Sequence, residues 1–252
     1  MTNIAKSLYL KKQVLVEQLN RIAADHKSVA LANSLSIEDM LITHLLLTHN
    51  IAIEIFSLDT GRLHQETLQV IDDVKKQYGY QIEVFSPDAD DIEKYVQDNG
   101  INGFYDSVEQ RKGCCYVRKV LPLKRALSGK EAWITGMRRE QGATRNELEE
   151  KAWDESNGLW KYNPLADWTE KEVWQLIRSE NIPYNALYDQ HFASIGCAPC
   201  TRSITMGEDV RAGRWWWENP DSKECGLHVQ ASPIKLISEP PEPIKYDGGD
   251  QG

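Results

Sequence analysis

The chain lacks most of the features by which a sequence declares a simple function. No stretch of its 252 residues approaches the ~18 consecutive apolar residues of a transmembrane helix. Its opening segment, MTNIAKSLYLKKQVLVEQL, spreads apolar residues at helical spacing and breaks them with Lys11, Lys12 and Glu17. It has neither the compact apolar core nor the small-residue cleavage site of a signal peptide, so a cytoplasmic address is expected. Positive charge is scarce: 29 Lys and Arg stand against 38 Asp and Glu, a formal net charge of −9. That balance excludes the broad basic face of a duplex-DNA binder, though a local basic pocket for a small anion fits on an acidic surface. Neither a Walker A loop nor a GxGxxG occurs anywhere in the chain. With 41% hydrophobic and 27% charged residues, the composition is that of a globular domain with a proper core, not of a collagenous or disordered chain.

Cysteine is sparse as well. The five are Cys114, Cys115, Cys197, Cys200 and Cys225. An odd number, an adjacent pair and a reducing compartment all argue against a disulfide framework. Cys197-Ala-Pro-Cys200 is a CxxC, but it comes late and without the βαβ start of a thioredoxin-like redox motif. Together with Cys114-Cys115 it makes a CC…CxxC set of four thiolates, which suits tetrahedral zinc or an iron–sulfur cluster. Adjacent cysteines chelate one small ion poorly, whereas two neighbouring thiolates reach different irons of a larger cube, and this favours the cluster. Four unrelated buried cysteines are the plain alternative. Cys225, in Lys-Glu-Cys-Gly-Leu-His, reads either as a nucleophile near His228 or as a simple surface thiol.

The hydropathy pattern alternates. Short apolar runs at 28–33, 51–58, 81–87 and 131–136 read as strands, and helical patterns fall at 3–24, 37–48, 63–78, 107–128 and 169–180. Pro122 is expected to kink or split the fourth helix. Thr169 with Glu172 forms a capping box at the start of the fifth. This order predicts an α/β fold: a doubly wound, mostly parallel sheet with helices on both faces and a loop-rich C-terminal segment. We expect a single domain over 1–228, with a nucleotide-binding core at about 25–180 and a catalytic segment at about 181–228. Residues 229–252, with four prolines, read as a flexible tail.

In such sheets ligands bind beyond the carboxyl ends of the strands. After the first run come Asn33, Ser34, Leu35 and Ser36, opening a helix; the serines either cradle a phosphate or merely cap that helix. The second run ends in Leu58-Asp59-Thr60-Gly61, and the fourth in Thr135-Gly136-Met137-Arg138-Arg139, running on to Arg145. Arg211 and Arg214 lie between the CxxC and Cys225. Arginine forks in glycine-bearing loops suit bidentate phosphate or sulfate contacts. Trp215, Trp216 and Trp217 read as packing or an oligomer contact.

The motifs SLSIED, LDTGR, CCYVRKVLPLKRAL, TGMRREQGATR, YNPLADWTEKEVW, IGCAPC, RAGRWWWE and KECGLH occur in one order from about residue 25 to 228. In this the chain resembles the assimilatory adenylyl-sulfate reductases, within the wider phosphoadenylyl-sulfate reductase family and its adenine-nucleotide α-hydrolase-like fold. The resemblance implies thiol-dependent reduction of adenylyl sulfate to sulfite and AMP for cysteine biosynthesis. It also implies a [4Fe–4S] cluster on Cys114, Cys115, Cys197 and Cys200, and a nucleophile at Cys225. Lys119, Arg138, Arg139, Arg145, Arg211, Arg214 and His228 match positions around the phosphosulfate. Ser34, Ser36, Leu58 and Gly136 fall where the family grips the nucleotide, although relatives often carry glycine in place of Ser36. With the sequence stopping at 252, a thioredoxin-like extension of the plant kind is not expected, and an external thioredoxin or glutaredoxin is expected as reductant. A homo-oligomer without nucleic-acid or membrane partners is also expected.

Three other readings compete. A phosphoadenylyl-sulfate reductase, or an enzyme accepting both nucleotides, uses the same scaffold. An ATP-pyrophosphatase-type ligase needs an SGGxDS loop, which NSLSIEDM is not. An iron–sulfur redox sensor leaves the arginine loop and KECGLH unexplained.

Overall fold

The computed structural model describes residues 3–142 and 145–219. Its element order is α1 (Asn3–Asp25), β1 (Val29–Ala32), α2 (Ile37–Thr48), β2 (Glu54–Leu58), α3 (Gln65–Tyr78), β3 (Glu83–Phe85) and α4 (Ala89–Asn99). Then follow α5 (Val108–Cys115), a π-helical turn (Tyr116–Val120), α6 (Leu121–Leu127), β4 (Ala132–Ile134), β5 (Lys151–Asp154), β6 (Leu159–Tyr162) and α7 (Glu170–Ser179). The six strands form one sheet in the order β3-β2-β1-β4-β6-β5. All neighbours run parallel except β5, which pairs antiparallel with β6. No helix of the described residues is long and apolar enough to cross a membrane.

Strand alternation builds two cores, one on each side of the sheet. Leu31, Ile55 and Ile134 face one way, against α1, α2, α3 and α7. Their neighbours Ala30, Phe56 and Trp133 face the other way, against Leu123, Ala126 and Leu127 of α6. The period of two puts successive side chains on opposite faces, so each strand feeds both cores. Helix α2 is buried from Ile37 to Leu46, so it shows no single apolar stripe, and its polar residues Glu38, Asp39, Thr43 and His44 are buried with the rest. At roughly 1.5–3 kcal/mol per fully buried large apolar side chain, this doubled core is ample for a domain of this size.

The winding reverses at β1. Helices α2 and α3 carry the chain outward to β3 along one face; α4, α5 and α6 bring it back across the other face to β4, on the far side of β1. The gap between the carboxyl ends of β1 and β4 is therefore the switch point where an open α/β sheet takes a ligand.

Helix α2 occupies the span expected of it, and α7 has the expected capping box, with Thr169 accepting from the Glu172 N–H. Pro122 sits in the first turn of α6, and the helix expected over 107–128 is split into α5, the π turn and α6. Two features went unread in the sequence. Helix α4 carries a thin stripe in which only Tyr95 is buried. The β5–β6 hairpin turns at Asp154, whose side chain accepts from the N–H groups of Ser156 and Asn157, and at Gly158 with φ +69°.

Candidate active site

At the switch point the loop after β1 turns sharply through Leu35, held at φ +65°. Asn33 accepts from the Leu35 N–H at 2.6 Å and donates to Thr43 Oγ1 at 2.8 Å, fixing the turn on α2. Ser36 takes the N-cap position of α2 without a side-chain capping bond. Ser34 donates its N–H and its hydroxyl to Asp39 Oδ2, and the two serine oxygens lie 3.0 Å apart. Across the gap, the Gly136 N–H donates to Asp39 Oδ1 at 2.7 Å. One buried carboxylate thus ties the two loops together. Burial pushes Asp39 up from 3.8 to about 6, against the opposing bonds from Ser34 and Gly136. Gly136 has no alternative here: a Cβ would lie 2.5 Å from Asp39 Oδ1 and 2.7 Å from Glu38 Cβ.

These loops wall a cavity of about 250 Å³ that takes in Ser34, Ser36, Leu58, Gly136, Arg138 and Arg145 on one side, and Lys119, Arg211 and Arg214 on the other. Not every arginine there is equally available. Arg138 is buried and lays Nε and Nη2 on Glu38 Oε1, both at 2.8 Å, with Nη1 on Glu140. Gln141 bridges Glu38 to Arg145, whose Nη1 donates to it at 2.5 Å. Arg139 turns away to Asp167 and the Leu148 carbonyl and does not line the cavity. Arg214 lies across Gly196 and donates to Ser194 and the Ile195 carbonyl, while its buried Nε has no hydrogen-bond partner among the described residues.

Beside this cavity lies a second one of about 20 Å³, lined by Cys114, Cys115, Cys197 and Cys200. The first two end α5; the second two flank a 3₁₀ turn. All four are buried free thiols. Thr60 Oγ1 lies 3.2 Å from Cys197 Sγ, and the Ala198 N–H donates to the Arg62 carbonyl, so the LDTGR loop braces the CxxC. Burial pushes the Cys200 thiol up to about 12, reinforced by Cys197, and raises Cys114 as well. Bare thiolates in this place are costly without nearby positive charge. Arg62, Arg111, Arg118 and Lys119 line the same space and supply it. Among the described residues, no three His, Cys, Asp or Glu side chains converge as they would on a single metal ion. Four reduced, buried, cation-flanked thiols around one space fit a larger thiolate-ligated group.

Lys119 lines both cavities. It lies on the π turn, where the wider winding replaces the simple i,i+4 relation to Cys115 that an α-helix would give. Cys225 and His228 lie outside the described residues, as does the 229–252 tail. Sequence reasoning missed Glu38 and Asp39, which read as ordinary first-turn acids of α2, and Arg62, Arg111 and Arg118, to which no role was given although Arg62 lies in LDTGR. Only the adjacency of Arg118 to Lys119 in CCYVRK was a usable signal.

A mostly parallel six-stranded sheet with a polar cavity at its switch point defines a doubly wound α/β protein. The fold agrees with phosphoadenylyl-sulfate reductase from Candida auris (TM-score 0.63, 21% identity, covering 78% of this chain and 95% of that one). It also agrees with yeast FAD synthetase (TM-score 0.56, 12% identity, 81% and 69% covered). The phosphoadenosine phosphosulfate reductase domain model matches residues 28–203, and the chain belongs to that family. Among curated relatives, the adenosine 5′-phosphosulfate reductase of Burkholderia cepacia is 53% identical over 94% of this chain and 96% of its own. That of Allochromatium vinosum is 54% identical over 88% and 87%.

Proposed function

We propose that the protein reduces adenylyl sulfate to sulfite and AMP in sulfate assimilation, with electrons from thiols. The observation that carries this reading is Lys119, a cation shared by the nucleotide-sized cavity and the four-cysteine cavity. Relatives at 53% and 54% identity carry the name of that activity.

The adenosine would lie at the switch point against Leu58 and Gly136, with the phosphosulfate toward Lys119, Arg145, Arg211 and Arg214. These cations offset the negative charge that otherwise repels an incoming thiolate, and they stabilise charge developing on the departing phosphate. The Cys225 thiolate attacks the sulfonyl sulfur; an S–S bond forms, the S–O bond to the phosphate breaks, and AMP leaves with that electron pair. A thiol of the reductant, a thioredoxin or glutaredoxin, then attacks Cys225 Sγ and expels sulfite. The reductant's second thiol resolves the mixed disulfide, returning Cys225 as thiol. Two electrons therefore come from one dithiol. Cys114, Cys115, Cys197 and Cys200 would hold a [4Fe–4S] cluster, which supplies fixed charge beside the sulfate pocket. Arg138, neutralised by Glu38 and Glu140, acts here as a brace for the loop.

Intact mass under anaerobic conditions, with reductant omitted, tests the reading. A gain of one sulfonate group with adenylyl sulfate, absent in Cys225→Ser, is expected. A gain only with the 3′-phosphorylated nucleotide would move the specificity to phosphoadenylyl sulfate. No gain with either, in protein of intact iron content, would overturn the proposal.

A further inference from the structure

Arg111 stands one turn before the cysteine pair on α5, and its side chain is fully buried. It donates from Nε to Glu218, whose side chain is 4% exposed, and its guanidinium lies 4.4 Å from the centre of the Trp215 ring. The same ring carries Arg214 at 4.7 Å. Trp215 is itself held at φ +41° and donates its N–H to the Cys200 carbonyl at 3.1 Å. The Glu218 N–H donates to the Trp215 carbonyl at 2.9 Å. The segment Arg214–Glu218 is thus fastened to the cysteine-bearing helix at one end and to the CxxC at the other.

A buried ion pair is poor evidence for stability, because taking both charges out of water offsets most of their attraction. What such a pair does well is fix a position. Cys225 follows Glu218 by seven residues, so a fixed Glu218 confines the thiol to within about 25 Å of that point. We propose that the buried Arg111–Glu218 pair is a positioning clamp, which fixes the root from which the chain runs on to its nucleophile. It rests on the reading of Cys225 given above. With a short leash from a fixed root, attack on bound nucleotide is intramolecular, at an effective concentration of order millimolar. Freeing the root costs orientation, for which even a 1 Å misplacement can lower a rate by up to about 10²-fold.

The test uses the full-length, iron-loaded protein with Glu218→Gln, Glu218→Asp, Arg111→Lys and the Arg111→Lys/Glu218→Gln double variant. At saturating adenylyl sulfate, Glu218→Gln and Arg111→Lys should each slow the single-turnover gain of sulfonate by about tenfold or more. AMP affinity should stay within about twofold in both, and iron content should not change in Glu218→Gln, whose side chain does not line the cysteine cavity, a split that a general loss of structure does not give. The double variant should be no slower than the slower single, because the two residues act as a unit, and Glu218→Asp should recover part of the rate. Hydrogen exchange at the amides of 215–219 should rise in Glu218→Gln. Unchanged exchange there, or a sulfonation rate within twofold of wild type, overturns the clamp while leaving Cys225 as nucleophile. Slowing matched by an equal loss of AMP affinity overturns it too. A wild-type protein that gains no sulfonate overturns the nucleophile itself, and the clamp's purpose with it. Should Glu218→Gln not fold, Arg111→Lys and Glu218→Asp carry the same comparison.

Discussion

The two cavities on the carboxyl edge of the sheet solve opposite problems. At the switch point the protein's own charges answer one another: Glu38 takes Arg138, and Asp39 takes the N–H groups of Ser34 and Gly136. That half is complete as bare protein, and its loops are held before any ligand arrives. Around the cysteines, four buried thiols face four cations, and burial drives the Cys200 thiol up to about 12. That half gathers thiols and cations around one small space, with Arg111 tied to Glu218 at its edge. A preformed cleft needs rigid internal partners, whereas a ligating cage needs several donors gathered around one space.

The sharpest way to break the contrast is to remove one donor from the cage. Cys197→Ala should lose iron and turnover together while keeping AMP binding, because Asp39 and Gly136 hold the cleft without the cage. Iron analysis beside calorimetric titration with AMP checks this; a colourless variant with full activity would take the cysteines out of the reaction. Gly136→Ala attacks the other half. Its Cβ would press on Asp39 and Glu38, at a cost of about 2–3 kcal/mol, and AMP affinity should fall with iron content retained. Urea unfolding gives the first quantity and titration the second.

Gly196 lies on the border between the halves. A Cβ there would meet Arg214 Nη2 at 2.5 Å, so Gly196→Ala should push the guanidinium out of the cavity wall. Losing one charge-assisted contact predicts a rise in KM of about tenfold with kcat less affected. A separate expectation concerns pH. Asp39 binds its proton more tightly in the fold than in the unfolded chain, so stability falls as pH rises from about 4 to about 6. A shift from 3.8 to about 6 corresponds to about 3 kcal/mol over that window. Asp39→Asn should flatten that part of the stability profile in urea titrations at successive pH values. A profile unchanged by the substitution would mean that burial does not raise the Asp39 carboxyl in the folded protein.

Much of this was legible in the chain because the parallel sheet writes strong local signals. Apolar runs mark β1, β2 and β4, and Thr169 with Glu172 marks the start of α7. Helix α4 escaped because it buries only Tyr95 and otherwise offers charge to solvent, so its apolar stripe is too thin to stand out. The β5–β6 hairpin escaped for a different reason. Trp153 and Trp160 face each other across it half-exposed, so the alternation carries no clear inside and outside. In the site, motif reading found the glycine, the cysteines and most cavity arginines. It did not separate Arg139, which leaves for Asp167, from Arg145, because direction along a loop depends on partners distant in sequence. Glu38 and Asp39 were invisible for the same reason: a carboxylate in a first helical turn looks like an ordinary favourable end charge until the loop beyond β4 closes on it.

The π turn between α5 and α6 amounts to one residue more than an α-helix would use over the same rise. That surplus turns everything after it by roughly 100° relative to everything before, the arc of a single residue at 3.6 per turn. Excising one residue from Tyr116–Val120 would therefore do more than shorten the chain. It would swing Lys119 out of the wall the two cavities share while the cysteines stayed in place, or carry the apolar side of α6 off the sheet. A one-residue length difference here separates a helix that serves two walls from a helix that serves one.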